Sequence, residues 1–181
     1  MDWGYSMRIF TFLKSKKYKV ELRIWRKSEL KRNNVIEKQD IISNYRNIKL
    51  GQSIYIGPQS YIMALGGVEI GSNVRIGPRL FIWTENHDWH SDEFLPYGYK
   101  NILKKVIIHD NVWIGSCATL CPGSEIGEGA IVGMGAVVRG KIPPCAIVTG
   151  NPSQIVGYRD KSIYEELKRD GKFIKRNMPN Y

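Results

Sequence analysis

The feature that most constrains this chain is a glycine-punctuated aliphatic repeat with a period of six. Leu50-Gly51 leads to Ile56-Gly57 and then Ile62 in step. The phase slips by two at Gly66-Gly67, resumes as Ile70-Gly71, Ile76-Gly77 and Ile82, and returns after a long break as Ile108, Ile114-Gly115, Leu120, Ile126-Gly127, Val132-Gly133 and Val138. A second series lies four residues after each of these and is apolar or small: Ile54, Ser60, Val74, Leu80, Val112, Ala118, Ser124, Ala130 and Ala136. Ile36, Ile42 and Ile48 extend that second series backwards, so the repeat is expected to begin near Val35. A period of six fits neither a helix, at 3.6, nor a lone strand, at two. It fits a solenoid in which each hexad forms one flat side of a triangular coil, the aliphatic residue points inward, and glycine supplies positive φ at the corner. A β-sandwich is the competing reading, but its turns would recur at roughly 8–12 residues. The expected fold is therefore an all-β parallel β-helix.

The expected organisation is a basic N-terminal cap over 1–34, helical or mixed, then the β-helix over 35–159 and a C-terminal helix and tail over 160–181. In the last segment Ser162 and Glu165 have capping-box spacing, Ile163 and Leu167 form an apolar side together with Tyr164, and Gly171 ends the helix. Lys172–Tyr181 reads as a loosely held basic tail.

Lys and Arg total 27 against 17 Asp and Glu, a net charge of +10, which calls for an anionic partner. The basic N-terminus offers contact to a membrane face or an acidic glycan; nucleic acid is not expected. Cys117, Cys121 and Cys145 are odd in number and lack framework spacing, so a disulfide scaffold is not expected. No apolar run approaches the ~20 residues of a membrane span, and the first residues lack the ordered segments of a signal peptide. A cytoplasmic protein is the expectation.

The rhythm stops between Ile82 and Ile108, and the catalytic loop is placed at 83–105. The insert holds two of the three histidines, His87 and His90, with Asn86, Asp88 and the aromatics Trp83, Trp89, Tyr97 and Tyr99. Loops displayed on a rigid scaffold are where function concentrates. This mixture suits a polar ligand with apolar faces, such as a sugar.

The runs Asp110-Asn111-Val112-Trp113-Ile114-Gly115-Ser116, Pro122-Gly123-Ser124-Glu125-Ile126-Gly127, Gly133-Met134-Gly135-Ala136-Val137-Val138, Ile142-Pro143-Pro144 and Gly150-Asn151-Pro152 resemble, in that order, the bacterial hexapeptide-repeat sugar O-acetyltransferases. Within that family the chain is most similar to the maltose, galactoside and capsular-polysaccharide enzymes. The resemblance implies a left-handed β-helix, acetyl-CoA as co-substrate, a sugar acceptor, no metal, and a homotrimer with sites between subunits. It implies His87 as catalytic base and Trp113 with its indole N–H toward the coenzyme sulfur; Asp88, next to His87 in sequence, is a candidate to orient the ring, the alternative being a solvated side chain. Ser116 and Met134 match positions lining the pantetheine groove. Arg139 and Gly140 stand where the family has Thr-Lys. Gln154 stands where some relatives have a phosphate-binding arginine, so Arg139, Lys141 or Arg159 is expected to supply that charge. Asn86, Trp89, His90 and Trp83 are the candidate acceptor contacts.

Three alternatives are open at this level. They are N-acetylation of an amino sugar, a γ-carbonic-anhydrase-like metalloenzyme using His87, His90 and His109, and a non-catalytic β-helix module.

Overall fold

The computed structural model describes residues 15–174; the expectations for residues 1–14 and 175–181 lie outside the described residues. The repeat folds as a triangular parallel solenoid of about six turns with a C-terminal helix. Wall 1 stacks Val35–Ile36, Tyr55–Ile56, Arg75–Ile76, Trp113–Ile114, Ile131–Val132 and Ala146–Thr149. Wall 2 stacks Ile41–Ser43, Tyr61–Met63, Phe81–Trp83, Thr119–Leu120 and Val137–Val138. Wall 3 stacks Ile48–Leu50, Val68–Ile70, Val106–Ile108, Glu125–Ile126 and Lys141–Ile142. Ile56, Ile76, Ile114, Ile126 and Val132 all lie in the buried inward column, as the repeat requires.

Two details differ from the sequence reading. Ile36 pairs with Ile56 and Ile42 with Ile62, so both belong to the first aliphatic series rather than the second. The cause is another two-residue slip, absorbed by a short helical turn at Tyr45–Asn47. The glycines that follow the inward aliphatics are also not the residues with positive φ. That conformation falls two residues later in the same corner, at Gln59, Arg79, Cys117 and Gly135. Gly57, Gly77 and Gly115 are required by the close stacking of successive coils. A Cβ on Gly77 would meet Ser116 N at 2.7 Å, and one on Gly115 would meet Met134 N at 2.6 Å.

Two inward positions of the first coil, Asn34 and Asp40, are polar. Asn34 donates to Glu29 Oε2 (2.8 Å) and Gly51 O (3.0 Å) and accepts from Ile54 N (2.9 Å), so its burial is compensated. Asp40 is less well served. Its Oδ1 accepts from Ser60 N (2.9 Å), but its buried Oδ2 has no partner among the described residues. Helix α1, Lys16–Leu30, closes this end of the prism. Ser15 caps it by accepting from Tyr18 N (3.1 Å). Tyr18 and Leu22 are buried against the coil, and the Tyr18 hydroxyl donates to Ile42 O.

Burial pushes the Asp40 carboxyl up to about 6, with Arg26 nearby opposing the rise only in part. A carboxyl raised on folding stabilises the native state fully below its unfolded pKa, near 3.9, and loses that contribution as pH climbs through about 6. Asp40→Asn keeps the acceptor for Ser60 N and removes the buried charge. It is expected to raise stability at neutral pH by about 1–3 kcal/mol and to flatten the dependence between about pH 4 and 7, as read from urea midpoints.

Helix α2, Lys161–Arg169, is capped by Asp160, which accepts from Ile163 N (3.0 Å), and not by Ser162, whose hydroxyl donates to Asp160 (2.6 Å). Gly171 takes positive φ beyond its end. The side that holds the helix to the coil is Tyr164, donating to Glu128 Oε1 (2.7 Å), with Lys168 paired to Glu128 (2.6 Å). Ile163 and Leu167 are exposed.

Candidate active site

The insert is a hairpin rather than an irregular loop. The chain leaves wall 2 at Trp83, and buried Thr84 fixes the root: its hydroxyl donates to Met63 O (2.7 Å) and accepts from Gly66 N (2.8 Å). Strands Glu85–Asp88 and Gly98–Leu103 then pair antiparallel, with His87 opposite Asn101 and Glu85 opposite Leu103. Period-two alternation puts Glu85 and His87 on one face, and cross-strand pairing adds Asn101 to it.

His87 is exposed, with its ring lying flat on Tyr97, centroids 3.8 Å apart and planes 5° from parallel. Glu85 beside it is only 6% exposed and accepts from Asn101 Nδ2 (3.3 Å). Burial pushes the Glu85 carboxyl up, while charge on His87 and the Asn101 bond pull it down. The buried carboxylate at the imidazole is thus Glu85, which the sequence reading did not single out; its signal was the Glu-x-His spacing at strand period.

Asp88 Oδ1 accepts from His90 N (3.1 Å) and shapes the hairpin tip. Asn86 Oδ1 accepts from His87 N (2.9 Å). Trp89 is exposed and tilted against His90, with centroids 5.4 Å apart. At the hairpin root, Trp83 joins an aromatic row on wall 2. Tyr61 stacks on Phe81 at 4.9 Å and Phe81 on Trp83 at 6.2 Å, the latter pair 3° from parallel.

The candidate coenzyme residues fall into three places. Trp113 is 55% exposed on wall 1, and Ser116 and Met134 lie beyond it on the corner between walls 1 and 2. There Gly135 N donates to Ser116 O (2.9 Å), and Met134 is 76% exposed. Arg139 and Gly140 form the next corner, between walls 2 and 3, which is also where the hairpin leaves. Gln154 begins an exposed strand, Gln154–Tyr158, that pairs antiparallel to Ala146–Thr149 at the end of wall 1. Within one chain the hairpin and the Trp113–Ser116–Met134 strip therefore occupy different edges of the prism.

Of the expected phosphate-binding cations, Lys141 is paired with Glu125 (2.8 Å), and Arg159 Nε donates to Gly129 O (2.6 Å). Arg139 is exposed and has no ion-pair partner among the described residues. His109 contacts Glu125 (3.3 Å) on wall 3, away from the hairpin. Among the described residues no group of three His, Cys, Asp or Glu is gathered as a metal ion would require.

Residues 105–140 match the bacterial transferase hexapeptide (six repeats). The chain is 38% identical over 127 residues to the Staphylococcus aureus (strain Mu50) protein SAV2555, whose name carries an acetyltransferase assignment, covering 68% of this chain and 61% of that protein. It thus spans about three-fifths of the length of that relative. It is 36% identical over 84 residues to Escherichia coli WbbJ, named for O-acetyl transfer in lipopolysaccharide biosynthesis, covering 42% of this chain and 43% of that one. A galactoside acetyltransferase in complex with coenzyme A superposes with a TM-score of 0.67 and 24% identity, covering 88% of this chain and 80% of that one, which establishes the shared fold. By its repeat, its coil and these relatives, the chain belongs to the hexapeptide-repeat family.

Proposed function

We propose that this chain is an acetyl-CoA-dependent O-acetyltransferase acting on a sugar hydroxyl of a surface polysaccharide or its precursor, in the cytoplasm, with His87 as general base. The observation that carries this reading is the hairpin. It holds an exposed imidazole clear of a rigid coil, with one ring face fixed by Tyr97 and a buried carboxylate alongside. The similarity to proteins named as acetyltransferases sets the reaction class.

Acetyl-CoA supplies the acyl group as a thioester. A sugar hydroxyl is a weak nucleophile at neutral pH. The neutral imidazole of His87 accepts its proton as the oxygen attacks the thioester carbonyl, and the imidazolium returns that proton to the departing thiolate. The oxygen of the tetrahedral species needs a positioned donor, a role suited to the Trp113 indole N–H or a corner amide. The open strip of Trp113 and Met134 beside the closely stacked Gly115 corner suits a thin, largely apolar pantetheine arm. Arg139, without an ion-pair partner among the described residues, is the residue to meet the phosphates in place of the arginine that some relatives carry where this chain has Gln154. The aromatic row of Trp83, Phe81 and Tyr61 and the exposed Trp89 offer stacking surfaces for a sugar.

The division of these groups between edges supports a homotrimer. In a threefold assembly, the hairpin of one copy meets the Trp113–Ser116–Met134 edge of the next. The outside of wall 3 is the side left to water: Glu69 pairs there with Lys49 (3.3 Å) and Lys105 (2.7 Å), and Glu125 with His109 and Lys141.

The test is thiol release from acetyl-CoA across matched panels of hydroxyl and amino sugars. Acetylation of hydroxyl acceptors by a trimer is expected. Turnover of amino acceptors alone would change the reading to N-acetylation, and full activity in a monomer would contradict the shared site. Glu85 acts here as a positioning residue. Glu85→Gln is expected to lower kcat about tenfold with KM for both substrates little changed, and Glu85→Asp to recover part of the loss. An equal rise in KM for the acceptor would instead mark Glu85 as a binding residue.

A further inference from the structure

The two faces of helix α1 are chemically opposite. Its inner side rests on the first coil through Tyr18, Leu22 and Trp25, and both of its acids turn the same way. Glu21 pairs with Arg46 (3.3 Å), and Glu29 is buried against Asn34 (2.8 Å). At 100° per residue, the opposite arc collects Lys16, Lys17, Lys19, Arg23, Lys27 and Lys31. All six are exposed, and no acid lies among them. Val20 and Ile24 lie within that arc, one turn apart and 54% and 62% exposed, and Leu30 is exposed on its flank. Because every contact of α1 described above is with the first coil, this arc faces outward from the end of the prism, away from both edges that carry the proposed site.

The segment is also the seat of the net charge. Residues 1–32 hold ten of the 27 Lys and Arg and three of the 17 Asp and Glu, which is +7 of the chain's +10. The residues just before the helix in sequence include Trp3, Tyr5, Phe10 and Phe12, with Arg8 and the single acid Asp2. Cations interleaved with branched apolar side chains, next to an aromatic segment, form the composition that lies in a bilayer interface. No described helix is long and apolar enough to cross a membrane.

We propose that the outer face of α1 is a docking surface for the anionic face of a lipid bilayer, which seats the prism end-on and leaves its walls accessible. Lys and Arg near such a surface gain from its negative potential within a Debye length, and Val20, Ile24 and Leu30 add burial at the acyl boundary. This surface is separate from the hairpin and stands whether or not the chain transfers acetyl groups.

The test is co-sedimentation of the full chain with vesicles of phosphatidylcholine alone or mixed with phosphatidylglycerol. Partitioning is expected to rise at least about tenfold with the anionic lipid and to be lost in high salt. The triple substitution Lys16→Glu, Lys27→Glu, Lys31→Glu is expected to abolish binding at an unchanged melting temperature, since these side chains are exposed. Val20→Ser with Ile24→Ser is expected to weaken binding to anionic vesicles about threefold or more. Equal partitioning into both vesicle types, no partitioning, or retained binding by the charge-reversed chain would overturn the proposal. So would heparin binding that matches the anionic vesicles and is indifferent to the Val20 and Ile24 changes, because that result describes an acidic-glycan surface.

Discussion

His87→Ala is expected to lower turnover by about 100-fold or more while leaving the melting temperature close to that of the parent chain. The two halves of this expectation have separate causes. The imidazole is exposed at the hairpin, and the strands around it are held by backbone pairing and by Thr84 at the root, none of which uses the ring. The stability at risk is the stacking contact with Tyr97, worth about 1 kcal/mol. Under the proposed mechanism, catalysis loses the group that takes the hydroxyl proton in the transition state, and an aqueous alcohol has no substitute of matching pKa at neutral pH. KM for acetyl-CoA should change little. Turnover in the variant close to the parent value would remove His87 from the mechanism and favour a chain that binds without transferring.

Ile126→Ala is expected to cost about 2–5 kcal/mol, seen as a lower urea midpoint at similar slope. Ile126 has no exposed surface and lies on wall 3 between Ile108 and Ile142. The void it would leave cannot close. The backbone around it is tied to its neighbours by ladder bonds such as His109 N to Ile126 O (3.0 Å) and Gly127 N to Ile142 O (2.9 Å). Gly127 itself sits hard against the next coil, where a Cβ would meet Pro144 N at 2.5 Å. The adjacent Glu125 points outward, and its loss to Ala should stay within about 1 kcal/mol because exposed ion pairs contribute little. A small effect at Ile126 would mean that the inward column is not what holds the coils together.

The aliphatic column was legible because its period has one geometric solution, and the hairpin was legible as a break in that period. Other features depend on contacts that spacing does not carry. Ile36 and Ile42 were placed one series out because the slip at Tyr45–Asn47 contains no glycine pair to mark it, unlike the slip at Gly66-Gly67. The glycines after the inward aliphatics serve close stacking and not the positive φ that the repeat suggests. One chain's sequence does not show the separation between stacked coils, and that separation excludes a Cβ at Gly77 and Gly115. His87 was found through family likeness. Its buried neighbour Glu85 was not, because within a segment read as a loop no alternation is expected and Glu-x-His has no special meaning until the strands pair. Asp88, the nearer acid in sequence, instead shapes the turn through His90 N.

The coil closes beneath the hairpin as though nothing had been inserted. Val106 aligns with Val68 and Ile114 with Ile76, while Thr84 and Lys104, through the latter's N–H to Thr84 O (2.9 Å), pinch the two legs together at the root. The hairpin is therefore set apart from the register of its foundation. Its length and side chains can change without re-registering a single coil, and the Trp113–Ser116–Met134 edge keeps its place when they do.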